Sequence, residues 1–147
     1  MHEERTGMTV LYKDIYPVER GNFAMAGDAS SKIKRLLKRM DVDPVLIREV
    51  AICSYELELN LVIHSLGGEL ILEMTENCLT LTSSDCGPGI PNTELAMKEG
   101  YSTAPEDVRM IGFGAGMGLP NVKRHSSRLT IKSEVGKGSI ITAEYDL

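Results

Sequence analysis

The stretch PVLIREVAICSYELELNLVIHS, residues 44–65, predicts a long helix that is apolar on most of its sides. Asp43, immediately before it, is a favourable N-cap residue, and Pro44 suits the first helical position. The glycines at 67 and 68 end the helix. A helix that is apolar nearly all round is buried rather than amphipathic. We therefore expect this helix at the centre of the molecule.

Two polar side chains interrupt the central helix on one face. Glu56 and Asn60 are four residues apart, so they lie one above the other, whereas Glu58 points to nearly the opposite side and is expected to be solvated. A carboxylate and an amide on an apolar helix are costly unless they are paired or used. One interpretation is a buried hydrogen-bonded pair. The other is a site in which Asn60 is a magnesium ligand and Glu56 orients or deprotonates a hydroxyl nucleophile.

The segments on either side of this helix predict an antiparallel sheet. Alternating or apolar patterns predict strands at 9–18, in a hairpin over 68–85 with its turn near residues 76–77, at 128–135 and at 139–146. Helical spacing predicts further helices at 23–40, 93–99 and 119–127. Because neighbouring strands are joined by short turns, the expected fold is an α/β (α+β) two-layer sandwich. It has a mixed, mainly antiparallel sheet with helices on one face.

Composition limits the class of protein. A chain of 147 residues fits a single domain over 1–147, and a net charge of −5 argues against nucleic acid as a partner. No apolar run approaches the roughly 20 residues that span a membrane, and the N-terminus lacks a signal-peptide core. The three cysteines have no metal-binding spacing and fit reduced thiols. We expect a cytoplasmic protein that contacts no membrane.

A glycine-rich stretch, GFGAGMGLPNVKR at 112–124, precedes one of the predicted helices. Gly112, Gly114, Gly116 and Gly118 alternate with larger residues. Exposed backbone N–H groups at the positive end of a helix bind phosphate, and the missing side chains let it approach closely. The alternative is a flexible surface loop. A dinucleotide-binding fingerprint fits less well, because no clear βαβ unit surrounds the glycines.

A third motif, SSDCGPGIPN at 83–92, follows a predicted strand. Asp85 ends that strand, and Gly87 and Gly89 come directly after it. A carboxylate at this position can accept a hydrogen bond from an exocyclic amine such as that of adenine. A tight turn without a ligand is the alternative interpretation.

Together the three motifs resemble the N, G1 and G2 boxes of the GHKL ATPase superfamily, which includes histidine kinases, gyrase B, Hsp90 and MutL. Their order and spacing match, and the resemblance covers about residues 9–146. The small size resembles the anti-sigma-factor serine/threonine kinases of bacterial partner-switching systems. The segments at 112–124 and 133–144 look most like the switch-kinase branch of that group.

The resemblance implies the Bergerat ATP-binding fold with ATP and Mg²⁺ as cofactors. It implies that Asn60 binds the metal, that Glu56 is the general base and that Asp85 holds the adenine amino group. Residues 100–111 would form the ATP lid. Further residues that the resemblance assigns to nucleotide binding are Gly87, Gly89, Ile90, Gly100, Gly112, Gly114, Ala115, Gly116, Met117, Gly118, Leu119, Gly138 and Ser139.

The resemblance also implies a protein substrate. This would be a serine or threonine of a small regulatory partner, either an anti-sigma antagonist or a related sensor domain, and related kinases are often dimers. A non-catalytic, ATP-gated protein-binding module is the alternative function, and a detached histidine-kinase-like ATPase domain is a third. The basic run at 32–39 either docks an acidic partner or is a solvated helix face.

Overall fold

The computed structural model describes residues 10–85, 87, 118–134 and 136–147. Five strands, three helices and a short 3₁₀ turn lie in these ranges. They are β1 (Tyr12–Val18), the 3₁₀ turn (Phe23–Met25), α1 (Asp28–Arg39), α2 (Pro44–His64), β2 (Gly68–Met74), β3 (Cys78–Asp85), α3 (Gly118–Arg124), β4 (Arg128–Glu134) and β5 (Gly138–Asp146). No helix in the described ranges has the length and apolar character needed to cross a membrane.

The strands form one sheet in the order β1-β2-β3-β5-β4, and all four pairings are antiparallel. The predicted hairpin is confirmed as β2 and β3, and its turn lies at 75–77. β1 is an edge strand, where the missing N–H of Pro17 is tolerated. The mainly antiparallel sheet that the short turns predict is therefore confirmed.

The core lies on one face of this sheet. The strand registers place Leu72, Leu81 and Ala143 side by side, and each is fully buried. Helix α2 covers this face with a row of buried residues at helical spacing, namely Val50, Cys53, Leu57 and Leu61. On the opposite face, Ile15 and Ile140 are nearly half exposed. The helices therefore pack on one face of an α+β two-layer fold, as expected.

Helix α1 begins later than the spacing predicts. The predicted helix at 23–40 is divided into a 3₁₀ turn and a helix that begins at Asp28. Gly27 separates the two parts because its φ of +96° is a left-handed conformation that ends regular helix. The apolar spacing is correct for the helical part, since Ile33 and Leu37 are fully buried in the core.

The prediction that Glu58 is solvated is wrong. Its side chain is only 2% exposed, and its carboxylate accepts hydrogen bonds from the backbone N–H groups of Ala29 (3.1 Å) and Ser30 (3.0 Å). Gly27, the N-cap residue of α1, makes no side-chain capping bond. Glu58 of α2 therefore takes over the capping of α1, and the negative charge lies at the favourable end of that helix.

Replacing Glu58 with alanine should destabilise the protein. Two buried backbone donors of α1 lose their acceptor, so we expect Glu58→Ala to lower the free energy of unfolding by about 2–3 kcal/mol. Urea unfolding followed by circular dichroism measures this. The control is Glu76→Ala in the exposed β2–β3 turn, which should change stability by less than about 0.5 kcal/mol. Equal effects of the two substitutions would contradict the capping role.

Candidate functional site

The polar face of α2 meets the beginning of α3. A Cβ atom built on Gly118 would lie 3.5 Å from Oδ1 of Asn60 and 3.8 Å from Oε2 of Glu56. Both α2 side chains are partly accessible rather than sealed in the core. Three of the residues singled out in the sequence are thus neighbours, although more than 55 positions separate Gly118 from the other two.

Glu56 is held by a residue that the sequence analysis did not single out. Asn121 of α3 donates a hydrogen bond from Nδ2 to Oε2 of Glu56 over 3.2 Å, and Arg124 donates from Nη2 to Oδ1 of Asn121. The orientation of the Glu56 carboxylate therefore depends on α3. One signal could have found Asn121: it follows Gly118 by three residues and so shares its helix face.

A second cluster surrounds Asp85 at the end of β3. Its Oδ1 accepts hydrogen bonds from the backbone N–H groups of Gly87 and Ser139, each over 3.0 Å. Its Oδ2 accepts a bond from the Ser139 hydroxyl over 2.6 Å. These three donors fix the orientation of the carboxylate. A carboxylate oxygen accepts about two hydrogen bonds, so Oδ2 can accept one more from a ligand.

Close backbone contacts hold this cluster together. Gly138 has a φ of +126°, and a Cβ atom on it would lie 2.3 Å from the backbone oxygen of Asp85. Gly87, at φ +140°, accepts a hydrogen bond on its carbonyl oxygen from the N–H of Leu66 over 2.9 Å. The end of β3, the beginning of β5 and the segment after α2 therefore meet at Asp85.

Helix α2 connects the two clusters. Asn60 lies four residues before the last residue of α2, which is about 6 Å along the axis, and Leu66 lies just beyond the helix end. The cluster of Glu56, Asn60 and Gly118 thus lies at the second half of the helix. The Asp85 cluster contacts the segment that follows the helix. Both are attached to the same rigid element.

The remaining predicted site residues divide into two groups. Leu119 is 7% exposed, and its side chain packs in the hydrophobic core, so its backbone is the part available to a ligand. The others lie outside the described residues, as do the predicted helix at 93–99 and the predicted lid at 100–111. They are Gly89, Ile90, Gly100, Gly112, Gly114, Ala115, Gly116 and Met117.

A glycine comparison tests the close approach at Asp85. Gly136 and Gly138 both have positive φ, but a Cβ on Gly136 meets nothing within 4 Å, whereas one on Gly138 collides with Asp85. Gly136→Ala should cost about 1 kcal/mol for the left-handed backbone alone. Gly138→Ala should cost a further 1–3 kcal/mol or so for the collision. Urea unfolding measures both variants, and equal losses would argue against the tight contact.

Three similarities to known proteins agree with this arrangement. Residues 49–147 match the family described as histidine kinase-, DNA gyrase B- and HSP90-like ATPase. Over 78 residues the chain is 33% identical to the serine/threonine-protein kinase RsbT of Bacillus subtilis (strain 168). These 78 residues are 53% of this chain and 53% of RsbT. The chain therefore matches about half the length of this curated relative.

The backbone also resembles a solved structure. A chain in the crystal structure of the SiaB-SiaC complex from Pseudomonas aeruginosa superposes with a TM-score of 0.53 at 11% identity, covering 94% of this chain and 91% of that one. At such low identity the likeness concerns the fold alone. Residues 49–147, which match the family, include both clusters. The residues concerned are Glu56, Asn60, Asp85, Gly87, Gly118, Gly138 and Ser139. The chain belongs to the histidine kinase-, DNA gyrase B- and HSP90-like ATPase family.

Proposed function

We propose that this protein binds ATP with Mg²⁺ and transfers the γ-phosphoryl group to a serine or threonine of a small regulatory partner protein. The observation that carries the proposal is the position of Gly118, where a Cβ atom would lie 3.5 Å from Asn60 and 3.8 Å from Glu56. Membership of an ATPase family supports the nucleotide, and the similarity to the serine/threonine-protein kinase RsbT supports the transfer. The partner in our proposal is an anti-sigma antagonist or a related sensor domain.

The Asp85 cluster suits an adenine base. The free acceptor capacity of Oδ2 matches the hydrogen-bond donor on the adenine amino group, because an ionised carboxylate can only accept. Ser139 and Gly87 keep the carboxylate from turning away, since each donates to it. We propose that Asp85 selects adenine and that Ser139 positions Asp85.

The residues near Gly118 fit a magnesium ion that is shared with phosphates. Within the described ranges, no group of three His, Cys, Asp or Glu side chains could hold a metal on its own. Asn60 offers one neutral oxygen, and Mg²⁺ commonly takes one or two protein oxygens together with phosphate oxygens and water. In our proposal Asn60 is that ligand. A metal ion bound there would neutralise charge on the phosphates.

Glu56 is the proposed general base. It lies one helical turn before Asn60 on the same face, so a hydroxyl brought to the metal-bound phosphates would be within its reach. Phosphoryl transfer depends mainly on positioning and electrostatics, and the base orients the attacking hydroxyl and accepts its proton. Asn121 donates a hydrogen bond to Oε2 of Glu56 and so holds the orientation of the carboxylate from α3.

Two substitutions one helical turn apart separate binding from transfer. Asn60→Ala should weaken magnesium-dependent ATP binding at least tenfold, about 1.4 kcal/mol, while leaving the fold intact. Glu56→Gln should bind ATP as the wild type does but lower the rate of transfer by roughly 10²–10⁴-fold. Isothermal titration calorimetry with and without EDTA measures binding. Unchanged magnesium-dependent affinity in Asn60→Ala would contradict the metal role.

Transfer itself is measured with γ-phosphate-labelled ATP and a lysate of the source cell. We expect the wild type to label a small protein on serine or threonine, and Glu56→Gln to label it at least about a hundredfold more slowly. Wild-type protein that binds ATP but labels nothing would instead support the ATP-gated binding module.

A further inference from the structure

A groove of about 750 Å³ runs between α1 and α2, and it shares no residue with the two clusters described above. Its floor is apolar and consists of Val42, Ile47, Ala51 and Ile52. The α2 residues that line it, from Pro44 to Tyr55, recur at intervals of three and four, so they form one stripe of that helix. This stripe is twelve residues long and spans about 16 Å along the axis, or roughly three helical turns.

Cationic side chains border the groove on both sides. Lys34 and Lys38 lie one turn apart on α1, Arg48 faces them from α2, and all three are exposed. Within the described ranges, none of the three forms an ion pair. By contrast, Lys32 of α1 pairs with Asp28 over 3.0 Å. Asp41, in the turn between the helices, is the one acidic residue in the lining.

This combination is unusual for a chain whose net charge is −5. Two lysines at i and i+4 repel one another. Between the cations, the apolar floor remains partly open to solvent at Val42, Ala51 and Ile52. An anionic occupant would relieve the repulsion, and an apolar one would cover the floor. An amphipathic helix with acidic flanks does both, and a groove of three turns matches the helix-in-groove mode of recognition.

We propose that the α1–α2 groove docks an acidic amphipathic helical segment of the partner protein. The inference rests on the proposed function for the nature of its occupant, since a kinase of this kind acts on a protein. Leucine-like side chains would cover the floor, and carboxylates would pair with Lys34, Lys38 and Arg48.

The position of the groove gives docking a consequence for transfer. Tyr55, which is 39% exposed, lies at one end of the groove and directly precedes Glu56 in the chain. A partner held in the groove is therefore tethered next to the proposed base without occupying the nucleotide site. Tethering raises the effective concentration of the acceptor hydroxyl, so docking selects the substrate protein.

A labelled peptide tests the groove directly. The probe is a fluorescein-labelled, 16-residue helical peptide with leucines on one face and glutamates beside them, titrated with the full chain and followed by fluorescence anisotropy. Two comparison peptides carry serine for each leucine or lysine for each glutamate. We expect the first peptide to bind at least tenfold more tightly than either comparison peptide, with an affinity that falls as salt is added.

Paired charge reversals on α1 provide the matched control. Lys34→Glu with Lys38→Glu changes the groove, whereas Arg35→Glu with Arg39→Glu makes the same change in charge at exposed positions outside the lining. The first pair should weaken peptide binding at least tenfold and the second by less than threefold. Chemical-shift changes in nitrogen-15 spectra should concentrate at 34–55.

Several results would overturn the inference: no binding of the acidic peptide, equal losses in the two double variants, or equal binding of the serine peptide. The last would indicate non-specific charge attraction.

ATP calorimetry on the same proteins keeps the two proposals apart. If ATP binds normally but the protein does not discriminate between the peptides, only the groove proposal is overturned. If the wild type discriminates between the peptides but binds no ATP, the groove proposal is supported and the proposed nucleotide function is overturned.

Discussion

Helix α2 is the element on which the rest of the structure depends, because three of its faces carry three different requirements. Leu57 and the apolar residues in line with it bury against the sheet. Glu58 caps α1, while Glu56 and Asn60 meet Gly118. Successive residues point about 100° apart, so all three faces stay aligned only while the helix remains regular. Its length also determines where the following chain meets the Asp85 cluster, since Leu66 bonds to Gly87.

The two clusters are built on different physical principles. At Glu56 and Asn60, side chains converge from two packed helices, and the orientation of Glu56 depends on Asn121. At Asp85, the backbone itself approaches closely, which is possible only because Gly138 carries no Cβ and tolerates a left-handed conformation. The first arrangement depends on the position of α3. The second depends on the backbone of β3 and β5, and its three donors orient the carboxylate that is proposed to select one base.

The sequence predicted most of the described architecture because local periodicity carries that information. The bounds of α2 and the β2–β3 hairpin follow from apolar spacing and turn residues. The placement of Glu56 and Asn60 on one helix face follows from their four-residue spacing. Contacts between distant segments were not predictable in the same way. The burial of Glu58 depends on where α1 begins, and the role of Asn121 depends on how α3 packs on α2. The spacing within α3 places Asn121 on the same face as Gly118, but no local pattern shows that this face contacts Glu56.

In our proposal, ATP and its metal ion lie between α2 and the beginning of α3. Paramagnetic Mn²⁺ substituted for Mg²⁺ in nitrogen-15 NMR spectra of the ATP-bound chain tests that location most directly, because signals near the ion broaden and distant ones do not. We expect that the signals of the Asn60 side-chain amide and the Gly118 backbone amide lose intensity first, while the signal of Lys34 persists. Equal broadening at all three residues, or broadening centred on Lys34, would contradict it.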